Sequence, residues 1–193
     1  ATRLYPAVGR DVSWFRGIGM PIPAYLEKAG LLREGLLLVH NVHLSREEIG
    51  ILRKGRARFI LCPRSNAAHG NGQADVTHFV DTGIPFALGT DSLGSVPDLS
   101  VWEEMRAARS IYRGNLPDTE LCRVLFRAAT INGAAALGLA GGSLRPGAAA
   151  DFIVADNPRG GDGRAAIRDL VERTKRKNIR MTVVGGSPRF ERA

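Results

Sequence analysis

Three short passages of the chain gather residue types that could do chemistry. His40, Asn41 and His43 close and follow the apolar run Gly35-Leu-Leu-Leu-Val-His40. Pro63-Arg64-Ser65-Asn66 follows Arg58-Phe-Ile-Leu-Cys62, and Asp91-Ser92 follows Ile84-Pro-Phe-Ala-Leu-Gly89. An imidazole can bind a metal or move a proton, and a planar guanidinium can take a carboxylate in two parallel hydrogen bonds. An acid straight after a buried strand must be hydrated, paired or metal-bound, because a buried unpaired carboxylate is costly. Each residue also has a plainer reading. His40 could be a satisfied buried imidazole, Asp91 a turn or helix N-cap acid, and Arg64 half of an internal salt bridge. His40 and His43 form an HxxH, but residues three apart on a strand point to opposite faces. A metal held by both is not expected, and His43 reads as a structural hydrogen-bonder. His69 and His78 receive no role.

The elements around these passages decide whether they meet. The three apolar runs are short and continuous, the pattern of parallel strands buried on both faces. Ser45-Arg-Glu-Glu48 reads as a capping box opening a helix that runs to about Lys54 and stops at Gly55. Further helices are expected over 23–29, 74–81, 99–112 and 119–129. Strand and helix alternating in this way make right-handed βα units, and the sites of such sheets form where strands end at their carboxyl side. His40, the Arg64-Ser65-Asn66 group and Asp91 all occupy that edge. Beyond residue 140 the texture changes: strands are expected at 150–155 and 179–185, with a basic helix over 164–177 between them. The fold class is therefore α/β. Residues 1–20 read as an irregular segment, 21–140 as a partial barrel, and 141–193 as part of a β-rich companion domain.

Composition narrows the function. The 193 residues carry a net charge of +8, but ten Lys/Arg and four Asp/Glu lie within 159–193, so most of the excess sits in one terminal segment. No groove-reading motif accompanies it, and a solvated surface is expected rather than specific nucleic-acid binding. No apolar run approaches the roughly 20 residues of a membrane span. Cys62 and Cys122 have no CxxC or Cys/His spacing, which sets aside a zinc-finger or disulfide framework. With no charged-then-apolar leader among the opening residues, the expected setting is the cytoplasm.

Taken in order, several passages resemble one family. Leu37-Leu-Val-His40-Asn-Val-His43-Leu, Leu61-Cys-Pro-Arg-Ser-Asn66, Leu88-Gly-Thr-Asp91-Ser-Leu, Ala129-Thr-Ile-Asn-Gly-Ala134 and Gly142-Ser-Leu-Arg-Pro-Gly-Ala-Ala-Ala-Asp-Phe-Ile-Val154 are similar to metal-dependent amidohydrolases. The likeness is to the C-terminal half of their aminohydrolase branch, which holds adenosine-type, guanine and triazine hydrolases. Cys-Pro-Arg-Ser-Asn followed by Gly-Thr-Asp-Ser-Leu most resembles the deaminases of aminodeoxyfutalosine. The resemblance implies strands six to eight of a (β/α)8 barrel plus part of a small β-rich companion domain. It implies that His40 contacts the attacking water, that Asp91 is a metal ligand accepting a proton from that water, and that Arg64, Ser65 and Asn66 face the substrate. The implied reaction is hydrolytic deamination of an aminated purine-type or nucleoside-like small molecule, with a divalent metal, zinc or iron, acidifying the water.

The chain departs from that family in one respect. Its members carry an HxH on the first strand and an HxxE on the fifth, and nothing upstream of His40 here is histidine. A zinc site takes about three protein ligands, so most ligands are expected outside this chain. The reading is of a C-terminal portion, incomplete alone, whose partner is a missing N-terminal barrel half or another copy of itself. Ala1 in place of Met fits a truncated chain and equally one whose initiator Met has been removed. The alternative is an inactive remnant or interaction module without a metal site. An open half-barrel would also expose strand edges, so self-association of the chain is expected.

Overall fold

The computed structural model describes residues 8, 9, 11, 17, 19–156 and 163–192, so most of the stretch expected to be irregular, 1–20, lies outside the described residues. Proline in the first turn starts helix α1 (Ile22–Lys28), as the sequence suggests. Strand β1 (Leu37–Val39) leads into helix α2 (Arg46–Lys54). The capping box is formed as expected: Ser45 Oγ accepts the Glu48 amide at 3.1 Å while Glu48 Oε2 accepts the Ser45 amide at 2.9 Å. Glu48 Oε1 also takes the Ile22 amide at 3.0 Å, which ties α1 to α2. Strand β2 (Arg58–Leu61), helix α3 (Pro63–His69), helix α4 (Val76–Asp81) and strand β3 (Phe86–Leu88) follow. The sheet is parallel in the order β1-β2-β3, with Leu38 beside Phe59 and Ile60 beside Ala87.

Helices α5 (Val101–Ile111), α6 (Asp118–Ala129) and α7 (Ile131–Ala136) complete the main layer. Their apolar faces meet α4 and the sheet in a core built on Ile49, Leu52, Leu61, Phe79, Met105 and Leu125. Phe79 has no exposure and lies between two sheet aromatics, with ring centroids 5.2 Å from Phe59 and 5.7 Å from Phe86. A second sheet is antiparallel, in the order β4 (Phe152–Ala155), β5 (Ile179–Val184), β6 (Ser187–Glu191). Helix α8 (Gly163–Arg173), between β4 and β5 in sequence, packs on α6 instead of on that sheet and buries Val171 in the main core. Arg106 holds its last turn, donating to the carbonyls of Val171 at 2.7 Å and Thr174 at 3.1 Å.

Two expectations need correction. The run ending at His40 reads as a strand buried on both faces, yet Leu37 is 38% and Val39 47% exposed. β1 is an edge strand with no neighbour on its outer side among the described residues, so Leu37 and Val39 remain open to solvent. A helix straight after β2 is not among the expectations from sequence, yet Pro63 opens one, α3, where its missing amide costs nothing.

Asp75 caps α4, accepting the His78 amide at 2.9 Å and the Arg46 guanidinium at 2.9 Å. Burial alone would raise its carboxyl, but the His78 amide and Arg46 outweigh it and hold the group below its ordinary value. A carboxyl depressed in the native state adds stability that is complete above its unfolded pKa of about 3.9 and is lost as pH falls through the native value. Asp75→Asn should therefore shrink the drop in melting temperature between about pH 6 and pH 3, followed by circular dichroism. An unchanged drop would show that other carboxylates set the acid limit.

Among the described residues no helix is long and apolar enough to cross a membrane.

Candidate active site

The carboxyl ends of β1 and β3 turn through a conformation that few side chains accept. His40 (φ 72°), Asn41 (φ 55°) and Asp91 (φ 63°) all lie in the left-handed region. His, Asn and Asp are among the non-glycine residues most often found there. Asn41 holds the bend from below, its amide donating to the carbonyls of Leu38 at 2.8 Å and Ile60 at 3.1 Å. The reversal aims His40 across β2 toward Asp91, and their side chains approach to 4.0 Å between Nε2 and Oδ2.

The first turn of α3 fixes both groups. Buried Ser65 donates to Asp91 Oδ2 at 2.6 Å, and Ser95 adds a second hydroxyl on the same oxygen at 3.3 Å. Asn66, 2% exposed, sets its Oδ1 2.9 Å from His40 Nδ1. With a carbonyl oxygen as partner, Nδ1 is the donor of that bond, and Nε2 is turned toward Asp91. The Ser65 hydroxyl does most to hold the Asp91 carboxyl below the usual carboxylate range; desolvation opposes it, and the His40 ring, Ser95 and the field of His69 act on the side of Ser65.

The sequence-derived residues thus divide. His40, Ser65, Asn66 and Asp91 are brought together. Arg64 is not free to clamp a ligand: its Nε donates to Glu104 Oε1 at 2.7 Å and its Nη1 to Asp98 Oδ1 at 2.9 Å. The internal salt bridge, its plainer reading, is what the structure holds. His43, expected to be a structural hydrogen-bonder, is exposed and lines the cleft instead. His69, given no role from sequence, lines it too, as does Asn71. The cleft encloses about 530 Å³ between the β1 end, α3 and Asp91, within the range of small-molecule sites. Ser95 and Glu104 were not legible: one sits in a loop of undistinguished polar residues, the other in the first turn of a helix where an acid needs no further reason.

Among the described residues, the hydrogen bonds to the Asp91 carboxylate, from Ser65 and Ser95, fall on Oδ2, which leaves Oδ1 as a donor for a cation. That suits one ligand of a divalent metal. Among the described residues no group of three or more His, Cys, Asp or Glu is placed to hold one.

Comparison with known proteins shows the family of the chain. A model of the amidohydrolase family matches residues 16–188. The 5-methylthioadenosine/S-adenosylhomocysteine deaminase of Natronomonas pharaonis is 32% identical over 166 residues, 84% of this chain and 38% of that protein. The protein of the same name from Pelotomaculum thermopropionicum is 37% identical over 147 residues, 72% of this chain and 33% of its own length. The chain therefore spans well under half of these curated relatives. Among solved structures, a zinc-bound adenosine deaminase from Xanthomonas campestris superposes with a TM-score of 0.76 at 25% identity, over 87% of this chain and 40% of that one. Helicobacter pylori aminofutalosine deaminase in complex with methylthio-coformycin gives 0.75 at 26% identity, over 87% and 40% of the two chains. The match across nearly the whole described length, on relatives from one branch, leaves a single assignment: the chain belongs to the amidohydrolase family, in its aminohydrolase branch.

Proposed function

We propose that this chain is the C-terminal portion of a metal-dependent aminohydrolase that deaminates an aminated purine nucleoside. In this reading β1, β2 and β3 are barrel strands six to eight, the β4-β5-β6 sheet belongs to the companion domain, and a cytoplasmic setting follows. The observation that carries it is the pairing of His40 with Asp91 at the carboxyl edge, each held by a separate residue of one helical turn. The names of the relatives favour a 5-methylthioadenosine-like substrate, and the aminofutalosine deaminase neighbour favours a nucleoside of the aminodeoxyfutalosine kind.

A divalent metal, zinc in the Xanthomonas neighbour, would be held in part by Asp91 Oδ1 and would supply an acidified water at neutral pH. The chain's own residues do the remainder. Asp91, kept ionised by the Ser65 hydroxyl, takes a proton from the attacking water. His40 Nε2, locked by Asn66 on the opposite nitrogen, orients that water and faces the charge that develops as its oxygen bonds to the ring carbon. The proton held by Asp91 passes to the departing amine, the C–N bond breaks and ammonia leaves, while the hydroxyl proton remaining on the added oxygen ends on the adjacent ring nitrogen as the carbonyl forms. Ser65 and Asn66, expected to touch substrate, serve here to position these two groups.

Metal content tests this reading. After dialysis against zinc, elemental analysis of this chain should find close to none, because Asp91 alone cannot retain it. Tightly held, stoichiometric metal would overturn the account of ligands lying elsewhere. The coding sequence upstream of residue 1 should then supply HxH and HxxE, and the resulting protein should convert an adenine chromophore to hypoxanthine. An upstream frame lacking both motifs would leave the inactive remnant as the better reading.

A further inference from the structure

Helix α3 begins without a cap of its own. Cys62 makes no side-chain bond at the N-cap, and Pro63 has no amide to offer. The next amide, that of Arg64, is taken by Glu104 Oε2 of α5 at 3.1 Å. The other oxygen of the same carboxylate accepts Arg64 Nε at 2.7 Å, so both oxygens of a fully buried acid grip one residue. The far side of the guanidinium is held by Asp98, at 2.9 Å from Nη1 and through its carbonyl from Nη2. The two residues that follow Arg64 are Ser65, on Asp91, and Asn66, on His40. Glu104 itself takes no part in lining the cleft.

We propose that Glu104 is a positioning residue for the His40–Asp91 pair, acting through Arg64 to fix the first turn of α3. This rests on the proposed role of His40 and Asp91. A carboxylate at the amide end of a helix satisfies an orphan donor and the local dipole together. The bidentate grip adds direction, which a lysine in place of arginine could not supply. If stability were its only purpose, apolar residues of similar volume would serve as well. Here the bonds converge on the residue that immediately precedes both contacts of the site, and a small rotation of that turn would shift Ser65 and Asn66 at once.

The test is spectroscopic and needs no turnover. In the 15N-labelled chain the His40 Nδ1 proton, shielded by Asn66, should give a slowly exchanging ring resonance, assigned by its loss in His40→Gln. Glu104→Gln should speed its exchange by about tenfold or more, the scale on which supporting contacts act, while the amide spectrum keeps native dispersion. Arg64→Lys, which keeps the charge and loses the fork, should do the same. Glu103→Gln, next along the helix and paired to Arg106, should leave the resonance unchanged. Folded Glu104→Gln or Arg64→Lys chains with an unaltered His40 signal would overturn the proposal. So would its absence from the unsubstituted chain, or unfolding of both variants, which would make the pair a determinant of the fold alone. Failed metal and deamination tests beside a lost His40 resonance would remove the enzyme reading and leave the coupling standing.

Discussion

Asp91→Asn is expected to lower deamination by the enzyme that contains this chain by roughly 10²–10⁴-fold, the scale on which a positioned proton acceptor contributes. The substitution is chosen for its backbone. Asp91 sits at φ 63°, a conformation asparagine accepts nearly as readily as aspartate, so the turn after β3 should survive. The amide oxygen can still receive the Ser65 hydroxyl, so the loss isolates the anion from its position. The measurement is the rate of the adenine-to-hypoxanthine absorbance change, with circular dichroism as the control for folding. A variant retaining full turnover would remove Asp91 from the chemistry, whatever its place in the cleft. Alanine would be a poorer choice, since it adds left-handed strain to the loss of charge.

The second large effect is on stability. Phe79→Ala should cost about 3–5 kcal/mol by urea denaturation, the range for emptying an aromatic site in a packed core. Phe79 is fully buried between Phe59 and Phe86, and these three rings join α4 to β2 and β3. Val39→Ala, by contrast, should cost under about 1 kcal/mol, because nearly half of that side chain already meets water. The contrast has a further use. Similar losses from both substitutions would mean that β1 is covered in solution, and a concentration-dependent mass by light scattering would identify a second copy as the cover. A mass of one chain at all concentrations would set self-association aside.

What the sequence made legible follows from how local each signal is. The Ser45–Glu48 box is a reciprocal contact three residues apart, and it forms with both bonds in place. The three βα units are a matter of period and punctuation, and the order of their carboxyl ends brings His40 and Asp91 together without further information. Pro63-Arg-Ser-Asn carries no helix signature beyond its opening proline, and the acid that takes its first free amide, Glu104, lies forty positions away in sequence. Arg64 could have turned either way; only the placement of buried Glu104 decides that its fork faces inward. The apolar character of β1 is real, but whether such a run is covered depends on what lies beside it, and no pattern within five residues reports that. β6 escaped for the opposite reason. Ser187-Pro-Arg-Phe-Glu191 is exposed throughout, so it carries no alternation, and only its pairing with β5 makes it a strand.

The left-handed backbone at His40, Asn41 and Asp91 also bears on how such a site can change over generations. Most of the genetic alphabet is closed at these positions, since a β-branched or bulky side chain there would cost of order 1–3 kcal/mol in strain alone. Glycine and asparagine remain cheap, and both are chemically silent in the roles of an acid or a base. Neutral drift is therefore biased toward losing the reactive group while keeping the fold intact. Lineages of this architecture should shed their chemistry by single conservative-looking steps far more easily than they exchange it for another.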